Sequence, residues 1–182
     1  MRAIYSVILF VALLTSCPKP QLFAPLPKPQ LPDETQSGKQ TFGFLLNDSL
    51  WLPKVSIFGP VPYYYISYEG FILRMAFNRK NNPEDATFDL VCGNIFKDTT
   101  INFKSLTSIN KISLTERYKI TDIKDSVIFY NSTRQDDFIL QIKKFDTINH
   151  IVSGTFEGTL RDTIKNKIAK IKLGRFDMKY KN

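Results

Sequence analysis

The sequence contains few of the residues that build metal centres and catalytic sites. Its 182 residues include one histidine, one tryptophan and two cysteines. A single histidine rules out a histidine-rich zinc site, and two cysteines permit one disulfide at most. The chain also lacks a Gly-x-Ser-x-Gly elbow, a phosphate-binding glycine loop and a Cys-x-x-Cys pair. These gaps disfavour an enzyme, and we expect no cofactor.

What the sequence has in quantity is apolar, aromatic and basic residues. Hydrophobic residues make up 43% of the chain, aromatic residues 13% and charged residues 23%. This composition is typical of a folded domain and excludes a disordered or collagen-like chain. The length leaves room for one domain, and the net charge of +8 raises the question of an anionic partner.

The first sixteen residues have the pattern of an export signal. Arg2 precedes an apolar run over residues 3–14, which is shorter than the about 20 residues that a membrane-spanning helix needs. Residues 14–17 read Leu-Thr-Ser-Cys, which resembles the lipobox of bacterial lipoproteins. We therefore predict a signal peptide over residues 1–16 and lipidation of Cys17, which would anchor the protein to the membrane without spanning it. The alternative is an ordinary secretory signal that is cleaved elsewhere.

A proline-rich segment follows the predicted lipidation site. Six of the ten prolines lie between Pro18 and Pro32, and the pentapeptide Pro-Lys-Pro-Gln-Leu occurs at 18–22 and again at 27–31. Proline favours the extended polyproline II conformation, in which about 20 residues reach roughly 60 Å. We predict that residues 17–40 are a tether that holds the domain in the cell envelope, on the periplasmic side of the outer membrane. The alternative is a recognition segment for an aromatic groove.

From residue 41 onward the sequence predicts an all-β domain. Short runs rich in Phe, Tyr, Ile, Val and Thr alternate with clusters of Asn, Asp, Gly and Pro. We expect residues 41–182 to form a single domain, an antiparallel β-sandwich or a flattened β-barrel. Residues 78–85 are expected to be a loop, and residues 105–123 fit a strand or a short helical turn, with a strand favoured. The predicted strands are 41–46, 50–52, 63–68, 71–77, 87–96, 101–103, 127–130, 138–145, 151–161, 168–173 and 175–180.

Two alternating patterns near the C-terminus are out of phase by one residue. Their apolar members are Ala169, Ile171 and Leu173 before Gly174, and Phe176, Met178 and Tyr180 after it. A one-residue slip turns every following side chain to the other face of a sheet, and a β-bulge restores the phase. We therefore predict a bulge at Gly174-Arg175 that keeps both halves on one core. In the preceding strand, Gly158 is expected where another segment approaches closely.

Both ends of the predicted domain carry short motifs. Residues 150–156 read His-Ile-Val-Ser-Gly-Thr-Phe, residues 174–180 read Gly-Arg-Phe-Asp-Met-Lys-Tyr, and residues 42–53 include Phe-Gly-Phe and Trp-Leu-Pro. In these segments the chain is similar to a family of uncharacterised Bacteroidetes-type lipoproteins. The resemblance implies a small β-sandwich or flattened barrel and carries over no catalytic residue. Asp48 and Ser49 stand where glycine is more usual in the first turn, so the type of that turn stays open.

Tyrosines in the predicted strand over residues 63–68 are the best binding candidates. One face of this strand must present tyrosines to something other than the main core, where they could stack on sugar rings or form an interface. The alternative is that a second sheet and the loop at 58–62 cover both faces. The candidate tyrosines are Tyr63, Tyr64, Tyr65 and Tyr68.

The positive charge is concentrated at the C-terminus. Between residues 161 and 182 there are eight basic and two acidic residues, a net charge of +6. Lysines on an exposed strand protect an edge from pairing with another sheet, and they could also contact anionic lipid headgroups or polysaccharide. We expect no nucleic acid partner for an exported, anchored protein. The residues of this predicted basic edge are Lys165, Lys167, Lys170, Lys172 and Arg175.

Few residues suggest catalysis or metal binding. His150 lies between two predicted strands, where an exposed turn residue is expected, rather than beside a serine and a carboxylate. The paired carboxylates at 136–137 and at 84–85 are expected in solvated turns, with no third ligand at calcium-loop spacing and hence no metal. Cys92 is expected to be a buried small hydrophobic residue.

These patterns predict a lipid-anchored, non-enzymatic binding or structural module of the cell envelope. The membrane is its partner through the lipid, and a glycan or an envelope protein is the further partner we expect. The alternative is an envelope hydrolase that acts on glycan or lipid through carboxylates that the sequence does not identify, because such a pair meets only in the folded chain.

Overall fold

The fold is all-β, as the sequence predicts. The structure, a computed structural model, describes residues 30–53, 64–69, 72–81, 84–95, 97–105, 110–121, 124–133, 136–162 and 164–181. Eleven strands within these residues form one antiparallel sheet that curls strongly into a half-barrel. The only helical element in these ranges is a 3₁₀ turn over Phe103–Ser105. No helix of the described chain is long and apolar enough to cross a membrane.

The strands are numbered in the order in which they follow one another along the chain. They are β1 (Thr41–Leu46), β2 (Ser49–Trp51), β3 (Tyr64–Glu69), β4 (Ile72–Asn81), β5 (Glu84–Gly93), β6 (Thr99–Asn102), β7 (Lys111–Thr121), β8 (Lys124–Asn131), β9 (Phe138–Asp146), β10 (Ile151–Asp162) and β11 (Lys167–Lys179).

The sheet has the strand order β2-β1-β11-β10-β8-β7-β5-β4-β3, and β10 is its branch point. One edge of β10 pairs with β11, whereas the other edge pairs first with β9, up to Gly158, and then with β8 at Arg161. β6 pairs with the free side of β9. At the far end of the sheet, Tyr68 of β3 donates its backbone N–H to the carbonyl oxygen of Lys181 at 2.9 Å. This contact brings β3 back to the end of β11.

The inner face of the curled sheet holds one apolar core. Alternate residues of each strand point into it, which is the arrangement expected of a sheet with one solvated face. Aromatic rings dominate this core: Phe88 stacks on Phe156 with ring centroids 5.3 Å apart, and Phe44 stacks on Trp51 at 4.7 Å. Cys92 is fully buried here, as predicted, and burial raises the pKa of its thiol. Each fully buried large side chain contributes roughly 1.5–3 kcal/mol of hydrophobic stabilisation.

The first hairpin closes through a two-residue turn. Leu46 pairs with Ser49, and the residues between them, Asn47 and Asp48, have φ angles of 48° and 65°. Positive φ at both central positions defines a type I′ turn, and Asn and Asp tolerate that conformation better than most residues. The Asn47 side chain also accepts the backbone N–H of Lys170 at 2.9 Å. The turn is therefore built without glycine and is tied to β11.

The predicted bulge in β11 is present, two residues earlier than predicted. The register between β10 and β11 shifts between Phe156 and Gly158, where two residues of β11, Lys172 and Leu173, face one residue of β10. Leu173 has a φ of 53° and is 51% exposed, so its prediction as an inward-facing residue is wrong. Both halves of β11 face the same core, as predicted. Gly174 is needed beside the bulge because a Cβ there would lie 2.5 Å from the Phe156 ring.

A close approach to Gly158 is also confirmed. Its φ is 149°, and a Cβ at this position would lie 2.2 Å from the carbonyl oxygen of Asp137 and 2.5 Å from Cα of Phe138. The chain enters β9 at this point, so only glycine fits.

One segment differs from its predicted secondary structure, and a second segment decides between the two structures that the sequence left open. β4 runs to Asn81 and β5 begins at Glu84, so most of the predicted loop at 78–85 is strand. The polar sequence of this segment is typical of a loop. The strands β4 and β5 nevertheless stay paired up to Asn81 and Glu84, so the segment belongs to the hairpin. The carboxylates at 84–85 therefore lie in β5 and not in a turn. β7 (Lys111–Thr121) confirms the strand interpretation for the part of 105–123 that it covers.

Candidate ligand groove on the outer face of the sheet

The described end of the predicted tether folds back onto the domain. Residues 32–41, which we call the strap, cross the outer face of the sheet over β9 and β11. Besides its contacts to Asp177, the strap contacts the sheet through Glu34 with Lys143 (2.5 Å), the Gln36 carbonyl with Lys144 Nζ (3.1 Å) and the Pro32 carbonyl with Arg175 Nη1 (3.1 Å), among others. The predicted tether over residues 17–40 and the predicted start of the domain at residue 41 stay predictions.

The main attachment of the strap is the carboxylate of Asp177, which is 1% exposed. It accepts a hydrogen bond from the Thr35 hydroxyl at 2.6 Å. Three backbone N–H groups also donate to it: Ser37 at 3.0 Å, Gly38 at 2.7 Å and Lys39 at 3.2 Å. Burial alone would raise the pKa of Asp177, but these hydrogen bonds outweigh it and hold the pKa below its usual range. The strap is therefore fastened around a buried anion.

Beside the strap, the outer face of the sheet forms a groove of about 240 Å³. Its first row of side chains is polar. Gln141 of β9 pairs with Thr155 of β10, and Thr155 pairs with Arg175 of β11, so the three side chains lie side by side. Since neighbouring strands are about 4.8 Å apart, the row spans roughly 10 Å. Glu34 of the strap forms a wall of the groove.

The second row of the groove combines apolar and acidic side chains. Ile139 of β9 pairs with Glu157 of β10, and Glu157 faces Leu173 in the bulge of β11. Ile139 is 42% exposed and Leu173 is 51% exposed. Bulges often redirect a side chain next to a binding site, and this bulge turns Leu173 outward into the groove. The bulge that the sequence predicts therefore supplies one wall of the site.

The groove has the chemistry of a site for a hydroxyl-rich ligand. Gln141 offers an amide donor and an acceptor, and Arg175 offers several donors in a fixed plane. The carboxylates of Glu34 and Glu157 accept hydrogen bonds. The apolar side chains of the second row can cover the C–H face of a ring. Two carboxylates against one guanidinium leave no excess of positive charge, which disfavours a simple anion.

Several predicted site residues lie outside the part that the structure describes or are described only by their backbone. Cys17 and Tyr63 are outside the described residues. Tyr64 and Tyr65 belong to β3, where they pair with Phe77 and Ala76 of β4. Their predicted role in binding stays a prediction.

Tyr68 is the predicted tyrosine whose surroundings are described. Its hydroxyl donates to the carbonyl oxygen of Ile95 at 2.5 Å. Its ring meets the rings of Phe145 and Tyr180 edge-on, with centroids 4.9 Å and 5.6 Å away. Burial raises the pKa of the Tyr68 hydroxyl. Tyr68 is thus engaged in packing between the end of β11 and the hairpin of β3 and β4.

Of the predicted basic residues, Lys170, Lys172 and Arg175 lie on the outer face of β11, whereas Lys165 and Lys167 lie in the turn before β11 and at its start. β11 pairs with β1 on one side and with β10 on the other, so the prediction of an edge strand is wrong. Lys172 Nζ pairs with Asp48 at 2.8 Å, and Lys165 Nζ donates to the carbonyl of Val127 at 2.5 Å. Arg175 lines the groove. The exposed lysines of the set are Lys165, Lys167, Lys170 and Lys172.

His150 lies in the turn between β9 and β10, as expected. It has a φ of 54°, and its ring stacks on Tyr180 with centroids 5.4 Å apart. It is half-buried rather than exposed. Within the described ranges, no group of three or more His, Cys, Asp or Glu side chains is placed to hold a metal ion.

The carboxylate pair at 136–137 divides between a buried and an exposed residue. Asp136 is 5% exposed, pairs with Arg161 at 2.8 Å and accepts the Thr133 hydroxyl at 2.6 Å. Burial alone would raise the pKa of Asp136. The hydrogen bonds from Arg161 and Thr133 lower the pKa by more than burial raises it, so the pKa of Asp136 lies below its usual value. Asp137 is exposed and pairs with Lys104. The prediction of a solvated turn is therefore wrong for Asp136.

Comparisons with known protein families, with curated proteins and with solved structures find no match for this chain.

Sequence reasoning missed most of the groove. It singled out Arg175 for its charge and Leu173 for its place in an alternating pattern, but it passed over the side chains of β9 and β10. A usable signal is that Gln141 and Thr155 occupy the outward positions of strands whose inward residues are apolar. That signal marks the outer face, but it does not show which outer residues lie together.

Proposed function

We propose that this protein is a lipid-anchored protein of the cell envelope and that its β-domain is a non-enzymatic module that binds a glycan. The observation that carries the binding proposal is the outer-face groove. Its donors and acceptors lie in one row and its apolar side chains in the next, which suits a sugar with hydroxyl groups on its rim and C–H groups on its face.

The lipid anchor is supported by the sequence of residues 14–17 and by the apolar run before it. We extend the proposal to the outer membrane, on its periplasmic side, and to membership of the uncharacterised lipoprotein family that the terminal motifs resemble. An envelope protein is the other partner that suits an anchored domain without catalytic residues.

The binding proposal is tested with the mature chain in detergent on a glycan array. We expect binding to at least one oligosaccharide, at least about fivefold weaker in a Gln141→Ala variant, since one lost hydrogen-bonding side chain costs on the order of 1–3 kcal/mol. Two paired substitutions on β10 and β11 serve as a matched comparison. Thr155→Ala with Arg175→Ala changes the groove, whereas Thr159→Ala with Lys170→Ala changes a neighbouring cross-strand pair of the same strands. Equal loss in both double variants, or no glycan bound, contradicts the proposal.

The anchor is tested by growing cells with a labelled fatty acid. We expect label on the wild-type chain and on Cys92→Ala, and none on Cys17→Ala. Label that persists on Cys17→Ala would show that the acyl chain is attached elsewhere, and an unlabelled wild-type chain would refute the anchor.

A hydrolase is the second candidate function, because Glu34 and Glu157 line the same groove. Two carboxylates that flank a glycosidic bond can act as general acid and as base or nucleophile. A glycan screen that detects cleavage by the wild type, lost in Glu157→Gln and retained in the Asp85→Asn control, would favour this candidate. Binding without cleavage favours the module.

A further inference from the structure

One end of the molecule exposes large apolar side chains together. Ile164, in the turn between β10 and β11, is 89% exposed, Phe129 of β8 is 55% exposed and Ile168 of β11 is 42% exposed. Ile164 and Phe129 lie close together, because the carboxylate of Asp162 accepts the backbone N–H of Ile164 at 2.8 Å and also that of Phe129. We call Phe129, residues 164–167 and Ile168 the apolar tip.

Two lysines lie within the apolar tip, beside its apolar side chains. Lys165 and Lys167 lie in the turn and at the start of β11, and both are exposed. The acidic residue nearest in sequence, Asp162, is 4% exposed and directs its carboxylate at backbone N–H groups. The other acidic residue of the C-terminal stretch, Asp177, is buried under the strap. The charge that the C-terminal stretch presents to solvent at the tip is therefore positive.

We infer that the apolar tip is a second membrane contact, which inserts its apolar side chains at the surface of an anionic bilayer while its lysines meet the headgroups. Exposed apolar residues flanked by lysine fit an interface between hydrocarbon and anionic headgroups, and they do not suit a fully aqueous surface. This inference rests on the proposed lipid anchor, since the anchor supplies the membrane.

The chain is long enough for the anchor and the tip to reach one membrane. Gln30, where the described chain begins, lies thirteen positions after Cys17, and at about 3.5 Å per position this stretch reaches at most roughly 45 Å. The strap enters beside Arg175, which binds the Pro32 carbonyl. From Arg175 to Lys167 along β11, eight residues at about 3.3 Å each span roughly 26 Å.

The opposite end of β10 provides a matched control. Ile148, in the turn between β9 and β10, is also 89% exposed. Its turn is built around Asp146, whose carboxylate accepts the backbone N–H groups of Ile148 and Asn149. Residues 147–150 contain no lysine. The two turns thus differ in charge and in position, but not in the exposure of their isoleucine.

The test uses the lipidated full-length mature chain in vesicles of phosphatidylglycerol and phosphatidylethanolamine. Ile164→Cys and Ile148→Cys variants are labelled with an environment-sensitive fluorophore, and Cys92 is buried and does not compete. We expect a blue-shifted emission and several-fold stronger quenching by a lipid-borne quencher for the label at 164 than for the label at 148. A Lys165→Glu/Lys167→Glu variant is expected to lose this difference, as are vesicles made only of phosphatidylcholine.

The outcomes separate the two proposals. A chain that does not float with the vesicles refutes the anchor and the tip contact together. A chain that floats while both labels stay equally accessible to aqueous iodide leaves the anchor standing and overturns the tip contact. Equal burial of both labels overturns it as well, because the contact would then not be specific to the lysine-flanked tip.

Discussion

The ring of Phe42 stacks on the ring of Phe77, with centroids 3.5 Å apart and planes inclined by 14°. Phe42 lies in β1 and Phe77 in β4, and five strands separate β1 from β4 in the sheet order. The two rings meet only because the sheet curls round a shared core. This pair therefore reports directly on the closure of the half-barrel.

We predict that Phe42 and Phe77 are energetically coupled. Each single substitution to Ala should lower the free energy of unfolding by about 3–5 kcal/mol, because both rings are buried. The double variant should lose less than the sum, with a coupling of about 0.5–1.5 kcal/mol from the ring pair. Urea unfolding of the four proteins measures this. Strict additivity would show that the two strands do not face each other across the core.

Removing the buried carboxylate should release the strap. Asp177→Asn loses an acceptor for the Thr35 hydroxyl and the strap amides, and we expect a loss of about 2–3 kcal/mol in the free energy of unfolding. Cleavage between residues 32 and 41 by a nonspecific protease should also become faster. Asp48→Asn is the control, because this exposed carboxylate pairs with the solvated Lys172 and its substitution should change neither property. Equal protease resistance of Asp177→Asn and wild type would contradict the role of the strap.

The stability of the wild type should decline in acid. Hydrogen bonds hold the pKa of Asp177 below 3.8 despite its burial, and Arg161 and Thr133 do the same for Asp136. A depressed pKa contributes stability that is fully present above the unfolded value of about 3.9 and is lost as the pH falls through the folded value. We therefore expect the free energy of unfolding to fall below about pH 4, with a smaller fall in Asp177→Asn. Parallel curves for the two proteins in denaturant titrations would contradict this.

Leu173 should accept glycine but not a β-branched residue. Its φ of 53° lies in the left-handed region, where glycine is unstrained and valine is strongly disfavoured. We expect Leu173→Gly to keep the wild-type stability and Leu173→Val to lose about 1–2 kcal/mol. Lys170→Val, at an exposed position of the same strand without positive φ, should lose little. Thermal unfolding distinguishes the three variants, and a Leu173→Val protein as stable as Lys170→Val would argue against the bulge.

Most strands could be predicted from the sequence because their signal is local. Alternating apolar residues predict β9, β10 and both halves of β11, and the phase slip near Gly174 predicts the bulge. The polar run at 78–85 misled the prediction, since what extends that hairpin is pairing between β4 and β5 and not the character of the side chains. The order of the strands in the sheet could not be predicted either, because it also depends on pairing between strands and not on the character of the side chains. The place of β11 between β1 and β10 depends on contacts between residues that are distant in sequence. The sequence does not reveal these contacts, and the C-terminal strand was therefore wrongly predicted to be an edge strand.

The groove could not be predicted, because it exists only where four segments meet. Glu34, Gln141 and Leu173 are each ordinary exposed residues in their own segments, and Thr155 is a half-buried one. The strap was hidden by composition, since the proline-rich segment that leads into it indicates a spacer. Its turn-forming residues Thr35 to Gly38 gave the only local sign of a folded loop.

The most direct test of the account maps a bound glycan onto the sheet. Backbone amide chemical shifts of the mature chain in micelles are recorded while the oligosaccharide with the strongest array signal is added. The account predicts saturable shifts at Gln141, Thr155, Glu157 and Arg175, with none at Thr159 or Lys170. Shifts confined to the tyrosine strand over 63–68, or no shift at the groove residues at saturation, would contradict it.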